Sequence, residues 1–302
     1  MKTYKHGILS LFGAVFIWGS TFVIIKFLMN DIGPFMLVGL RLTISLLAIT
    51  PFALRRGFQW KMIFEKQFLL YGLTGIALYY GLSNVGLEKS TAANAALISA
   101  ANPAAVALLS IIFLQEKISW QRAIGIGLSI LGVLLIAGIP SSGGQSMLIG
   151  NLLLIASVIA FAVYTIQGKK LTGNVESLAA TTASIYAGLI WLTPFIAFEF
   201  RKTGFPIISP ISWLAIAYLG IFASALAFFL WNDALRSLDA SIAGPFINLI
   251  PILGLFFAVL AGEQISAIQI IGGLIAIIGV VITQNILNFP KGMVHENPGS
   301  SD

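Results

Sequence analysis

The sequence predicts an all-α integral membrane protein: ten transmembrane helices forming two inverted five-helix repeats around a central cavity. Three observations carry that prediction. Apolar residues supply 58% of the 302 positions and charged residues only 9%, with a mean hydropathy of +0.96, whereas a soluble domain carries about 25% charged residues. Ten apolar runs approach the roughly 20 residues that a helix needs to cross the hydrocarbon core. A set of polar and structure-breaking residues in the first half returns in the same order in the second. A membrane β-barrel is the other way to satisfy every backbone group in lipid. Its strands would alternate apolar and polar residues over about ten positions, and these runs are continuous.

The expected spans are 7–28, 34–53, 68–87, 91–114, 121–139, 148–167, 178–198, 211–235, 241–261 and 266–287. The first follows Lys2, Lys5 and His6, as a signal peptide would, but its apolar run is too long and no A-x-A site follows, so it reads as a retained helix. The third ends before Glu88 and Lys89. The fourth contains Pro103 and closes on the polar corner Gln115, Glu116, Lys117. Ser119 reads as the N-cap of the fifth span, and Ser266 with Gln269 forms an S-x-x-Q capping box before the tenth.

With the N-terminus in the cytoplasm, Lys2, Lys5, Arg55, Arg56, Lys61, Lys66, Lys117, Arg122, Lys169, Lys170, Arg236 and Lys291 fall inside. Only Lys89, Arg201 and Lys202 fall outside, with Lys26 and Arg41 left within spans. That asymmetry satisfies the positive-inside rule. It predicts a multi-pass protein of the cell (cytoplasmic) membrane with both termini cytoplasmic. It also accounts for the net charge of +6 without nucleic acid as a partner. The chain has no cysteine, and His6 and His295 lie in polar tails, so no cofactor or metal is expected.

The internal repeat defines the organisation. At an offset of 148, Asn84 meets Asn232, Leu87 meets Leu235, and Pro103 meets Pro251. At 147, Glu116 meets Glu263, Ser119 meets Ser266, Gly125 meets Gly272, and Gly132 meets Gly279. At 143, Gly7 meets Gly150 and Lys26 meets Lys169. Residues 1–139 then form the first repeat, 140–147 a connecting loop, 148–287 the second repeat, and 288–302 a disordered cytoplasmic tail. Five spans per repeat is odd, so the second enters the bilayer upside down, an arrangement characteristic of transporters.

The pattern W-G-S-T-F at Trp18 to Phe22, Lys26 after it, Pro34 and Arg41 in the second span, and the run from Pro103 to F-L-Q-E-K (Phe113 to Lys117) resemble the EamA-type transporters of the drug/metabolite transporter superfamily. The second copy, Pro251 to G-E-Q-I-S (Gly262 to Ser266), extends the resemblance over about 7–287. It implies ten helices, a cavity opening to alternate sides, and movement of small metabolites such as amino acids. Two departures stand out. Phe161 and Ala162 replace the Trp18–Gly19 pair in the second repeat, and no basic residue in the seventh span matches Arg41.

The candidate site is built from repeat-related polar and aromatic positions. Tyr80 and Asn84 are four apart and share a helix face, as do their counterparts Phe228 and Asn232. Trp18 and Thr21 match Phe161 and Tyr164. Rings for shape with a few amides for orientation suit a small, partly apolar substrate. The expected substrate-binding set is Trp18, Thr21, Tyr80, Asn84, Tyr164, Phe228, Trp231, Asn232 and Asn248, against the plain alternative of helix contacts and interface belts. Asn94 and Asn102 are weaker candidates. Pro103 and Pro251 are expected helix kinks. Lys26, Arg41 and Asp233 are the intramembrane charges, and such charges are functional candidates. Lys26 and Arg41 have the alternative of pairing with helix carbonyls or Asp31. Gly125 with Ser129 and Gly272 with Ala276 are small-xxx-small pairs for close packing of the fifth and tenth helices.

The expected function is a secondary transporter, in the exporting direction, whose partners are a small-molecule substrate and the lipid bilayer. No phosphate-binding G-x-x-x-x-G-K-[ST] loop is present, so ATP does not drive it directly. The alternatives are a lipid-modifying membrane enzyme, which would need clustered acids or histidines in the spans, and a receptor or scaffold, which would need larger polar loops.

Overall fold

A computed structural model describes residues 2–115, 119–137, 144–171, 175–228, 230–231, 234 and 246–283. Asn232, Asp233, Glu116, residues 140–143 of the connecting loop and the tail 288–302 lie outside the described residues.

Every regular element among the described residues is helical. We label the main helices α1 (Lys2–Leu28), α2 (Pro34–Leu54), α3 (Lys66–Glu88), α4 (Ala92–Ser99 and Asn102–Leu114), α5 (Trp120–Ala137), α6 (Gly144–Leu171), α7 (Ser177–Thr203), α8 (Pro210–Leu226), α9 (Leu249–Leu260) and α10 (Ala267–Thr283). The first seven are long and apolar enough to cross a membrane, and α8 to α10 are shorter apolar helices. Large apolar side chains such as Leu47, Phe198 and Leu260 are exposed on the outside of the bundle. A soluble protein rarely leaves so much apolar surface open, and a lipid-facing one requires it. The chain is a multi-pass membrane protein.

Helix starts obey the capping chemistry. The unpaired N–H groups of a first turn need acceptors, and the positive end of the helix dipole favours carboxylates. Thr91 accepts from Asn94 N, Ser209 from Ser212 N, and Glu176 from Leu178 N and Ala179 N. The box at Ser266 and Gln269 forms as expected, with Ser266 N donating to Gln269 Oε1 at 2.7 Å and Gln269 N to Ser266 Oγ at 3.2 Å. Ser119 Oγ accepts from Arg122 N. Two caps come from distant residues. Glu199 of α7 accepts from Phe35 N and Met36 N at the start of α2. Glu263 accepts from Ala92 N and Ala93 N at the start of α4, both at 2.8 Å. α6 begins at Gly144, inside the expected connecting loop 140–147.

Pro103 and Pro251 do not sit as kinks within continuous helices. α4 stops at Ser99, turns through Ala100 and Ala101, and restarts with Pro103 in its first turn. α9 behaves alike: Asn248 is a turn residue and Pro251 lies three positions on. Proline cannot donate to the carbonyl four residues back and its ring crowds that carbonyl, so a restart is less costly than a bend. α3 and α8 each contain a π-helical stretch, at Leu73–Leu78 and Tyr218–Leu226. The offset of 148 brings these two stretches into register.

Glycines set the closest helix approaches. α5 and α10 pack against each other so tightly that a Cβ on Gly132 would lie 2.5 Å from Ala276 N and Gly272 O, and one on Gly125 would lie 2.5 Å from Thr283 N and 2.6 Å from Gly279 O. Ser129 Oγ donates to Ala276 O across this seam. The small-xxx-small pairs thus pack within one chain. A second pair of contacts crosses the halves. A Cβ on Gly72 of α3 would lie 2.6 Å from Ser184 O of α7, and one on Gly220 of α8 would lie 2.9 Å from Arg41 O of α2.

Candidate functional site

The helices enclose a cavity of about 350 Å³ lined by both halves of the chain. Of the expected site residues, Trp18, Thr21, Arg41, Tyr80, Asn84, Pro103, Tyr164, Phe228, Trp231, Asn248 and Pro251 all line it. Asn102 lines it as well, from the break in α4. Lys26 does not, and Asn232 and Asp233 lie outside the described residues.

Two aromatic groups face the cavity. Trp18 of α1 packs edge-on against Phe228 at 5.3 Å between centroids and lies 5.7 Å from Trp231. In the second group Tyr164 of α6 stacks on Tyr71 of α3 at 4.0 Å, and Phe161 lies 5.2 Å from Tyr79. The π-helical stretches anchor both groups. Trp18 Nε1 donates to Ala223 O within α8's stretch, and the Tyr164 ring covers Gly75 within α3's. Gly75 and Ala223 correspond at the offset of 148, so repeat-related positions hold the two ring clusters.

Several polar atoms of the expected site are already engaged. Thr21 Oγ1 donates to Trp18 O, and Asn84 Nδ2 donates to Pro34 O at 3.2 Å. Asn94 is not a cavity residue. It bonds Ser90, Asn151 and Gln269, joining α4, α6 and α10. Lys26, half-buried, donates from Nζ to the carbonyls of Leu87, Glu88 and Ser90 at 2.8, 3.0 and 2.6 Å. It therefore caps the C-terminus of α3, the carbonyl alternative, and does not reach the cavity. Asp31 accepts from Ser212 Oγ and pairs with neither Lys26 nor Arg41.

Among the described residues, Arg41 is the cation that faces the cavity. Only 4% of its surface is exposed. Its Nε donates to Ser224 Oγ at 2.8 Å, and its guanidinium lies 4.8 Å from the centre of the Tyr80 ring. Ser224 sits in α8's π-helical stretch and donates onward to Leu219 O.

Sequence reasoning missed Tyr71 and Tyr79, both of which line the cavity. In a regular helix Tyr80 would face away from Tyr71, nine residues back. The π-helical stretch between them rotates the later turns of α3 by about 100°, one residue's worth of helix, and brings Tyr71, Tyr79 and Tyr80 to one wall. The only available signal was the local crowding of tyrosines in the third span.

The sequence model of the EamA-like transporter family matches this chain twice, over residues 5–138 and 148–284. An uncharacterized transporter of Bacillus subtilis is 29% identical over 293 residues, covering 94% of this chain and 88% of its own length. A probable amino-acid metabolite efflux pump of Escherichia coli is 26% identical over 301 residues, covering 96% of this chain and 98% of its own. A solved crystal structure shares the fold, with a TM-score of 0.64 over 94% of this chain and 99% of that one at 20% identity. Both matched halves wall the cavity, and the chain belongs to the EamA-like transporter family, whose name and whose relatives' names point to transporters rather than enzymes.

Proposed function

We propose that this protein exports small organic metabolites, amino acids or related compounds, across the cytoplasmic membrane by alternating access. In this reading ten helices form two inverted repeats, residues 1–139 and 148–287, with both termini cytoplasmic. The observation that carries it is the exchanged pairing of repeat-related residues. Gly125 of α5 meets Gly279 of α10, while Gly132 meets Gly272. The repeat relates Gly125 to Gly272 and Gly132 to Gly279, so each contact is the other with its partners swapped. Two helices running in opposite directions that touch in this way are related by a two-fold axis across them, hence in the plane of a bilayer. The contacts Gly72–Ser184 and Gly220–Arg41 are exchanged likewise, since Arg41 corresponds to Ser184 at the offset of 143 and Gly72 to Gly220 at 148. Halves related in this way expose a shared site to either side by rocking against each other.

The substrate class rests on the cavity, whose volume, aromatic walls and few polar groups fit a metabolite of amino-acid size. The efflux-pump relative supports the exporting direction. The test is flux from proteoliposomes loaded with a panel of amino acids and related metabolites. At least one compound is expected to move, and alanine at Trp18, Tyr80 or Trp231 is expected to reduce its flux at least tenfold, about 1.4 kcal/mol, with protein still in the membrane. Normal flux in all three variants would remove this cavity as the route.

A further inference from the structure

We infer that Arg41 is the anion subsite of the cavity and that the substrate carries a carboxylate bound there. This rests on the transport reading above and adds the chemical class of what is carried. A guanidinium is always charged, and taking it out of water is costly unless it is paired. Arg41 is nearly fully buried, yet among the described residues the one ion pair is Arg56 with Glu176, neither of which lines the cavity. Its partners there are Ser224 Oγ on Nε and the face of Tyr80. Both terminal amino groups are left without an acceptor among the described residues, and the residue lines the cavity. A planar, rigid fork of donors suits a carboxylate, which accepts two parallel bonds. A phosphate dianion would call for more than a single cation, and among the described residues the rest of the lining is aromatic, aliphatic or neutral polar.

The position also breaks the repeat. The residue related to Arg41 is Ser184, fully buried and bonded to Thr181 O. Where packing alone governs, the two copies agree, as the glycine contacts do. The charge occurs in one copy only, so the substrate is held in one orientation with its anionic end toward α2. The same cavity offers acceptors at the break in α4: Asn102 Oδ1 is buried without a partner, and Pro103 withholds the N–H that Ser99 O would receive. Those groups suit an amino or hydroxyl group on the same molecule.

The test is intrinsic tryptophan fluorescence of the purified full chain in detergent, because Trp18 and Trp231 line the cavity. The probes are alanine, threonine, leucine and phenylalanine, each as free acid and as carboxamide. The acids are expected to bind roughly tenfold or more tightly than the amides, the scale of a charge-assisted bidentate pair. Arg41→Gln is expected to erase that gap, weakening the acids by roughly tenfold more than the amides. Arg41→Lys, which keeps the charge without the fork, is expected to retain part of it and serves if the glutamine variant does not fold. Equal binding of acids and amides by the wild-type protein, no saturable binding by any acid, or an equal loss for both in Arg41→Gln would overturn the assignment. Arg41-dependent binding without flux would leave this subsite standing and remove the transport reading. Equal flux of acids and amides would do the reverse.

Discussion

Lys26 and Arg41 are both cations within apolar spans, and the structure gives them different work. Lys26 satisfies three carbonyls at the end of α3, a role that the last turn of a helix offers any nearby ammonium. Replacing it with methionine is expected to lower stability by about 1–3 kcal/mol, the range for hydrogen bonds to a charged group, read as a lower melting temperature in detergent. Flux in the folded fraction should persist. Glu263→Ala removes the acceptor of Ala92 N and Ala93 N and should cost about 0.5–2 kcal/mol, as losing a cap does, by the same measurement. Residue-level legibility depended on distance along the chain. Spacing put Asn84 and Tyr80 on the cavity face. It could not show that the Asn84 amide is bonded to Pro34 O, because that partner belongs to another helix.

At the level of the element, apolar length and caps were readable and internal irregularities were not. Ser119, Ser266 and Gln269 stand where their spacing placed them, because a cap is a contact between neighbours in sequence. The π-helical stretches at Leu73–Leu78 and Tyr218–Leu226 have no residue pattern that announces them, and they decide which tyrosines face inward. The breaks before Pro103 and Pro251 were legible as irregularities but not in form, since proline forbids a bond without dictating whether the helix bends or restarts. Pro103→Ala is expected to let the two pieces of α4 join, realigning Ser99 and Asn102 and reducing flux with the protein still monodisperse by size-exclusion chromatography. The α5–α10 seam should be far less forgiving. Gly132→Leu would drive a side chain into the backbone of α10. Overpacking costs about 1–3 kcal/mol where neighbours can move, and backbone cannot, so loss of folded protein is expected on the same column.

For the whole molecule, the proposed inverted topology gives a direct prediction. The chain lacks cysteine, so single cysteines at Thr3 and Ser146 can be labelled in intact cells without background. A membrane-impermeant maleimide is expected to reach position 146 and not position 3. Labelling of both from outside, or of neither, would contradict cytoplasmic termini with five spans between the two sites. The repeat was legible because its asparagine, proline and glycine matches are scarce residues kept in order. Which helices of one half touch which of the other was not legible, since that depends on approach distances that only glycine contacts fix.

The exchanged contacts also bear on how the protein is made. α2 rests on α8, and α3 on α7, so besides the α5 face that waits for α10, the first five helices leave the ribosome with two more faces whose partners have not yet been synthesised. Until α7 and α8 arrive, those faces must be held by lipid or by the insertion machinery. The early half is therefore an unfinished intermediate during synthesis, and a stop codon in the connecting segment would send it to quality-control proteases.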